Sequence, residues 1–458
     1  MLTKVSVFFG VVCLLLGSRV VSADFTLEHF PLDKGSRWTY SVSPPTISGE
    51  FDGSLLSMNF GQLTVSIPSD GRRRSEMPFT GTINIPGSGL FAFKGTSSYE
   101  EEFNLESTSI ELASESVYFD IRIPSVSVSM TFDGSGTYTP ALTLFEDGTL
   151  IGESVLSSGE FSGDITVSYS GPSAPPGETL PLSGSVQTTV AITAQEAIPF
   201  NGNPVDTLRV QIDVTTDGES SQKTWNLARF VGPLKMVQHL PMLDQMFENL
   251  DEATFTLLST NLPVWETINS FSVDPSNDET LNFDVNGSPV EIVIPAGCLS
   301  APCTIMVADI LNIPPSAGIK GISWAVGVNI EEPNVTVDCP ITVTIPYTQA
   351  DLDSAGVTDP NELQVYRWSS PSSGWEALQV TNVDTTNETI SFEVSQFSLF
   401  GNGAPAPANA VVPAGGGGGC LISTSAHGFR WAEGAALAFA LGFVALVFTG
   451  FRRRFRGK

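Results

Sequence analysis

The chain has 458 residues, enough for two or three domains, and it carries 21 Lys and Arg residues against 49 Asp and Glu residues, a formal net charge of −28. Because nucleic-acid binding needs clustered Lys and Arg, this balance excludes nucleic acid as a partner and favours solubility at a cell surface. The chain has 3 His residues, which leave little material for a histidine-based metal site or catalytic triad. No nucleophile elbow, phosphate-binding loop or His-Glu-x-x-His motif occurs. We therefore expect a protein that is not an enzyme and that uses no cofactor or metal.

Residues 1–23 have the three-part layout of a secretory signal peptide. Lys4 supplies a positive charge, and residues 5–17 form an apolar run that is too short to span a membrane. Residues 21–23, Val-Ser-Ala, have the small-x-small form of a cleavage site. We expect the protein to be exported to the cell envelope or cell surface.

A first domain is predicted at 24–265, where short alternating runs such as 117–123 and 208–214 indicate strands with one buried face. The segment at 30–40 contains Pro-Leu and then Trp-Thr-Tyr, and the segment at 225–235 begins Trp-Asn-Leu-Ala. These two segments resemble a broad group of uncharacterised bacterial exported β-sheet proteins. The resemblance implies an antiparallel curved sheet or half-barrel.

Three aromatic residues of that domain, Trp38, Tyr40 and Trp225, are candidates for lining an apolar groove. The alternative is that they fill the core, as buried aromatic residues commonly do. Phe230 stands where the resembling proteins commonly have Gly.

A second domain is predicted at 266–403. Its markers are Ile-Pro strands at 290–297 and 340–347 and a closing Phe-Ser strand at 392–400. Their order resembles the β-sandwich module shared by ankyrins, netrin receptors and many bacterial surface proteins. The resemblance implies packing and protein contacts rather than catalysis. We interpret Trp368 and Trp375 as core and hairpin residues rather than as a platform for a sugar.

The cysteines indicate a disulfide in this second domain. Cys298 and Cys303 bracket a short loop, and a bridge that closes this loop is our prediction for an oxidising compartment. Cys339 is then unpaired, unless it replaces one of those two as a partner.

The C-terminal region carries a surface-anchoring signal. Residues 404–419 form a Pro- and Gly-rich linker, and residues 420–458 contain an apolar segment of membrane-spanning length before an Arg-rich end. This arrangement resembles the bacterial C-terminal sorting signals that contain a Gly-rich motif with a Cys. The resemblance implies a membrane and a sorting protease as partners, with cleavage or lipid attachment at Gly419 and Cys420. A permanent single-span anchor is the alternative.

The predicted fold is therefore all-β, with a curved sheet or half-barrel, a β-sandwich, a linker and one C-terminal transmembrane helix. We expect a non-enzymatic, membrane-tethered or cell-surface protein that serves adhesion, envelope structure or ligand capture and takes lipid or protein ligands.

Three alternatives stay open. The first is a lipid or lipoprotein carrier with a hydrophobic cavity in the first domain. The second is a carboxylate-pair enzyme, although the run Glu100-Glu101-Glu102 is more simply a solvated strand edge. The third is calcium binding through acidic loops, although neither cluster has the spacing of an EF-hand; the clusters are Asp274, Asp278 and Glu279, and Asp351 and Asp353.

Overall fold

The structure is a computed structural model that describes residues 25–406 except 52–53, 88, 173, 175, 217–218, 240–246, 249–251, 286 and 333. The predicted signal peptide and the predicted sorting segment, with Gly419 and Cys420, lie outside the described residues, as does most of the predicted linker. Across the described ranges, no helix is both long enough and apolar enough to cross a membrane. The described chain is all-β, as predicted.

The first domain is built from antiparallel strands that alternate between buried and exposed residues. A short 3-10 helix at Leu27–His29 precedes them, and another at Pro124–Val126 interrupts them. In chain order the strands are β1 (Arg37–Ser43), β2 (Thr46–Phe51), β3 (Ser54–Phe60), β4 (Leu63–Ser69), β5 (Arg72–Ile85), β6 (Gly89–Leu105), β7 (Ser109–Ile123), β8 (Val128–Glu146), β9 (Ser154–Ser170), β10 (Glu178–Phe200), β11 (Asn203–Thr216), β12 (Glu219–Ala228), β13 (Gly232–His239), β14 (Phe247–Glu248) and β15 (Glu252–Thr260).

Twelve of these strands close into a barrel, where the sequence predicted an antiparallel curved sheet or half-barrel. The order around the barrel is β5-β4-β1-β15-β13-β12-β11-β10-β9-β8-β7-β6, and β6 returns to β5. Closure is achieved because β5 is 14 residues long. Its first half pairs with β4, its second half pairs with β3, and its other edge pairs with β6 along its length. Closure satisfies backbone groups that an open edge would expose.

The barrel interior contains two apolar clusters. The larger one includes Trp38, Tyr40 and Trp225. The second includes Met58 and Phe119 and lies beneath the β2–β3 hairpin. Side chains therefore fill most of the barrel, as expected for inward-facing positions of closed sheets.

The second domain consists of two antiparallel sheets that share one apolar core, and we call it the sandwich. One sheet has the order β16-β19-β21-β27-β23-β24, with β20 also pairing with β27, and the other has the order β17-β18-β22-β26-β25. The strands are β16 (Val264–Val273), β17 (Glu279–Val285), β18 (Ser288–Ile294), β19 (Cys303–Asn312), β20 (Ile319–Lys320), β21 (Val326–Ile330), β22 (Ile341–Pro346), β23 (Gln364–Ser370), β24 (Gly374–Leu378), β25 (Val380–Asp384), β26 (Thr389–Val394) and β27 (Leu399–Pro405), with one helix, α1 (Gln349–Ala355), and a 3-10 turn at Pro360–Glu362.

The pairing of the terminal strands extends the sandwich beyond the predicted 266–403. Val264 pairs with Asn312 at the start of β16, and Pro405 pairs with Ile319 at the end of β27. β16 therefore starts two residues before the predicted boundary at 266, and β27 includes the first two residues of the predicted linker at 404–419.

The predicted bridge between Cys298 and Cys303 is wrong, because Cys298 pairs with Cys339 and their Cα atoms are 4.9 Å apart. The backbone explains this pairing. Leu299 forms a bridge with Val337, which places the two cysteine segments side by side. Cys303 instead begins β19 and stays a buried free thiol.

Alkylation tests the disulfide assignment. We expect that unfolding the protein without reductant labels Cys303 and leaves Cys298 and Cys339 unlabelled. In the folded protein, burial and then the nearby Glu332 raise the pKa of the Cys303 thiol to about 11. Labelling at about pH 8 before unfolding should therefore mark none of the three, because the thiolate is the nucleophile. Peptide mapping after reduction is the control, and label on Cys339 in the unreduced sample would contradict the pairing.

Candidate functional site

A cavity of about 100 Å³ lies inside the barrel, bordered by both apolar clusters. Its half-buried lining is largely apolar, whereas its most buried lining includes charged and polar groups. The half-buried apolar residues, which we call the collar, are Val42, Pro44, Phe60, Leu63, Met77 and Phe255. The buried charged and polar residues, which we call the floor, are Arg73, Ser75, Glu101, Lys223 and Gln238. The cavity therefore joins an apolar entrance to a polar base.

Strand alternation places the floor residues inside the barrel. Arg73 on β5 lies directly opposite Glu101 on β6, and Glu101 lies directly opposite Glu115 on β7. Residues in register on one face of neighbouring strands have close Cβ atoms. On the other side of the cavity, Lys223 lies on β12, two residues before Trp225.

Arg73 connects the two sides of the barrel interior. Its Nη1 donates to Glu101 Oε2 at 2.5 Å, and its Nη2 lies 3.9 Å from Met236 Sδ on β13. Its guanidinium carbon also lies 5.6 Å from the centre of the Trp225 ring. The charge is therefore held by an ion pair on one side and by an aromatic face and a sulfur atom on the other.

These charges are unusually well buried. Arg73 is 7% exposed, Glu101 3%, Glu115 1% and Lys223 6%. Taking an ion out of water costs several kcal/mol, and well-packed apolar residues in place of a buried ion pair are often at least as stabilising. The stability of the barrel alone therefore does not account for a charged floor, which makes the cavity the candidate functional site.

The structure separates the three aromatic residues predicted to line an apolar groove. Trp225 lines the cavity. Trp38 and Tyr40 are buried in the core instead, where Trp38 Nε1 donates to the Val231 carbonyl at 2.6 Å and Tyr40 Oη donates to the Pro233 carbonyl at 2.9 Å. Burial raises the pKa of Tyr40, while Arg73 opposes that shift. These two hydrogen bonds therefore connect β1 to the turn that precedes β13 and to the first residues of β13.

Sequence reasoning missed the charged floor. The run Glu100-Glu101-Glu102 looked like a solvated edge, and its outer members are partly exposed, but Glu101 points inward. A signal was present in the three consecutive arginines at 72–74, which pair in register with the three glutamates. Neither run shows by itself which of its members faces the interior.

The described residues contain no group of three or more His, Cys, Asp or Glu side chains placed to hold a metal ion. The floor can offer hydrogen bonds and charge to a polar group, while the collar can cover an apolar one. This combination suits a small amphiphilic ligand.

Removing Arg73 tests the buried ion pair. We expect Arg73→Met to lower the free energy of unfolding by about 3–5 kcal/mol, because it leaves Glu101 buried without its cation. The double variant Arg73→Met/Glu101→Leu should recover most of that loss, since neither charge remains. Urea unfolding followed by circular dichroism measures both.

Arg72→Met is the matched control, because the Arg72 side chain is 44% exposed and pairs with Glu100 and Glu102 at the surface. Its effect should stay within about 1 kcal/mol. Equal losses in the Arg73 single variant, the double variant and this control would contradict the assignment.

No protein-family model matches the chain, and no curated protein matches it. Among solved structures, the chain is similar to a beta-barrel-like protein of the domain of unknown function DUF1849 from Brucella abortus. The two share 11% sequence identity over 51% of this chain and 99% of that chain, with a TM-score of 0.23. A likeness at that score supports no statement about the function of this chain.

Proposed function

We propose that the chain is a non-enzymatic protein of the cell envelope or cell surface, exported, tethered through its C-terminal segment and able to capture a small amphiphilic ligand in its barrel. The observation that carries the proposal is the buried, charged floor beneath an apolar collar. Export and tethering rest on the sequence patterns at 1–23 and 420–458. The sandwich contributes a second folded domain beside the barrel.

The charge of the floor selects the ligand's polar end. Among the charged residues that line the cavity, Arg73 and Lys223 are basic and Glu101 is acidic. Glu115 lies opposite Glu101 and balances the interior charge, but it does not line the cavity. We therefore propose an end group that accepts hydrogen bonds from the lining residues Lys223 and Gln238, such as a carboxylate, rather than an ammonium group. The apolar part of the ligand would lie against collar residues such as Phe60 and Phe255.

The volume of the cavity limits the ligand's size. Small-molecule pockets usually measure roughly 300–1,000 Å³, whereas this one measures about 100 Å³. A short-chain carboxylate is a better match to that volume than a complete lipid. A lipid carrier is the second candidate because the collar is apolar, but a long acyl chain would need the barrel to expand.

Calorimetric titration of the full chain in phosphatidylcholine nanodiscs tests ligand capture. Pentanoate is the probe, 1-pentanol is its neutral counterpart, and empty nanodiscs provide the blank. We expect saturable binding of pentanoate, weaker binding of pentanol and a loss of about tenfold in pentanoate affinity in Lys223→Met, since a charge-assisted hydrogen bond contributes on that scale.

Lys94→Met serves as the control, because Lys94 lies exposed on the outer face of β6. This variant should bind pentanoate as the unaltered protein does. Absence of pentanoate binding, or equal binding by Lys223→Met and the unaltered protein, would overturn the proposal. A co-purified long-chain lipid in the intact-mass spectrum would favour the carrier instead.

A further inference from the structure

A second cavity of about 480 Å³ lies between the barrel and the sandwich. We call it the joint crevice. The barrel contributes the segment at 27–33 and the turns after β6 and β12, and the sandwich contributes residues of β16, β21 and β23. The volume falls within the range of roughly 300–1,000 Å³ typical of small-ligand pockets, which often lie at domain interfaces.

One wall of the joint crevice is aromatic. The Phe230 and Trp265 rings lie 4.6 Å apart between their centres. Trp265 packs over Gly327, where an added Cβ would lie 2.5 Å from the indole. Phe230 has a φ of 63°, a left-handed conformation that costs a non-glycine residue about 1–3 kcal/mol. A bulky residue held in that conformation at a cavity wall points to a use for its ring.

One cation of this chain already lies against the Phe230 ring. The Arg229 guanidinium lies 5.2 Å from the Phe230 ring centre and donates through Nε to Glu28 Oε2 at 2.6 Å. An aromatic face with a carboxylate beside it is a favourable environment for a cation. Arg229 does not itself line the crevice, but its contact shows that the Phe230 ring takes part in a cation–π interaction.

Two further carboxylates line the joint crevice, Asp33 and Glu106. Neither forms an ion pair with a cation anywhere in the described part of the chain. Desolvation and then the neighbouring Asp70 raise the pKa of the Asp33 carboxyl. Both side chains are exposed, so the crevice carries negative charge that no cation in the described part of the chain pairs with.

We infer that the joint crevice binds an organic cation, an ammonium or guanidinium group on an apolar stem, between the Phe230–Trp265 wall and the carboxylates of Asp33 and Glu106. The stem would lie along the apolar lining, and the charged end would meet the carboxylates. The cation has two chemical sources, a free small amine or the side chain of Lys or Arg in a partner protein. This inference uses a different cavity from the barrel site and does not depend on it.

Calorimetric titration of the full chain in phosphatidylcholine nanodiscs tests the inference with two cationic probes. N-acetyl-arginine methylamide represents a protein side chain, pentylamine represents a free amine, and N-acetyl-norleucine methylamide is the neutral control. We expect at least one cation to bind saturably, the neutral compound to bind more weakly, and about 0.5 M salt to weaken cation binding through screening. Binding of the capped arginine identifies a protein partner, and binding of pentylamine alone identifies a small amine.

The double variant Asp33→Asn/Glu106→Gln should lower cation affinity by about tenfold. Glu393→Gln should leave it unchanged, because Glu393 lies exposed on β26 of the other sandwich sheet. Both variants keep the side-chain shape, and thermal unfolding checks that each remains folded. Absence of binding by both cations, equal binding of the neutral compound, or unchanged affinity in the double variant would overturn the inference. Pentanoate binding in the same variants reports separately on the barrel site.

Discussion

The pairing of β1 with β15 is the constraint on which the rest of the structure depends. β1 pairs with β4 on one side and with β15 on the other, and this second pairing completes the barrel wall. It also fixes the joint, because β15 ends at Thr260 and β16 begins at Val264. Asn312 Nδ2 of the sandwich donates to the carbonyl of Leu262 in that short link at 2.6 Å. The pairing of β1 with β15 therefore shapes both the cavity inside the barrel and the crevice beside it.

Charge distinguishes the two cavities. Within the barrel, cross-strand ion pairs between β5 and β6 combine surface pairs with the buried pair of Arg73 and Glu101. A shift of one residue in this register would turn Arg73 outward and bring a solvated neighbour inside. The same charges that line the cavity therefore specify the strand alignment. At the joint crevice, by contrast, Asp33 and Glu106 have no cationic partner in the described part of the chain. This crevice is therefore suited to binding a cation from another molecule.

The sequence predicted what depends on local pattern and missed what depends on long-range pairing. Alternation at 117–123 and 208–214 anticipated β7 and β11, and the Ile-Pro segments anticipated β18 and β22. Three features were not predicted: the closure of the barrel, the inward orientation of Glu101 and the disulfide partner of Cys298. Each depends on which distant segment of the chain pairs with the segment in question. The sequence showed that Phe230 replaces the Gly common in the resembling proteins. Its contact with Trp265 could not be predicted, because Trp265 belongs to the neighbouring domain.

The pairing of β1 with β15 also determines when the barrel can form during folding. Trp38 on β1 pairs with Thr260 on β15, so the contact joins the first barrel strand to the last. Loop closure over such a distance is slow, and contacts between distant residues form late in folding. A chain that stops before β15 keeps open edges on both β1 and β13, and open edges invite pairing with another molecule. A truncated chain that lacks β15 would therefore expose two unpaired strand edges and be prone to aggregation.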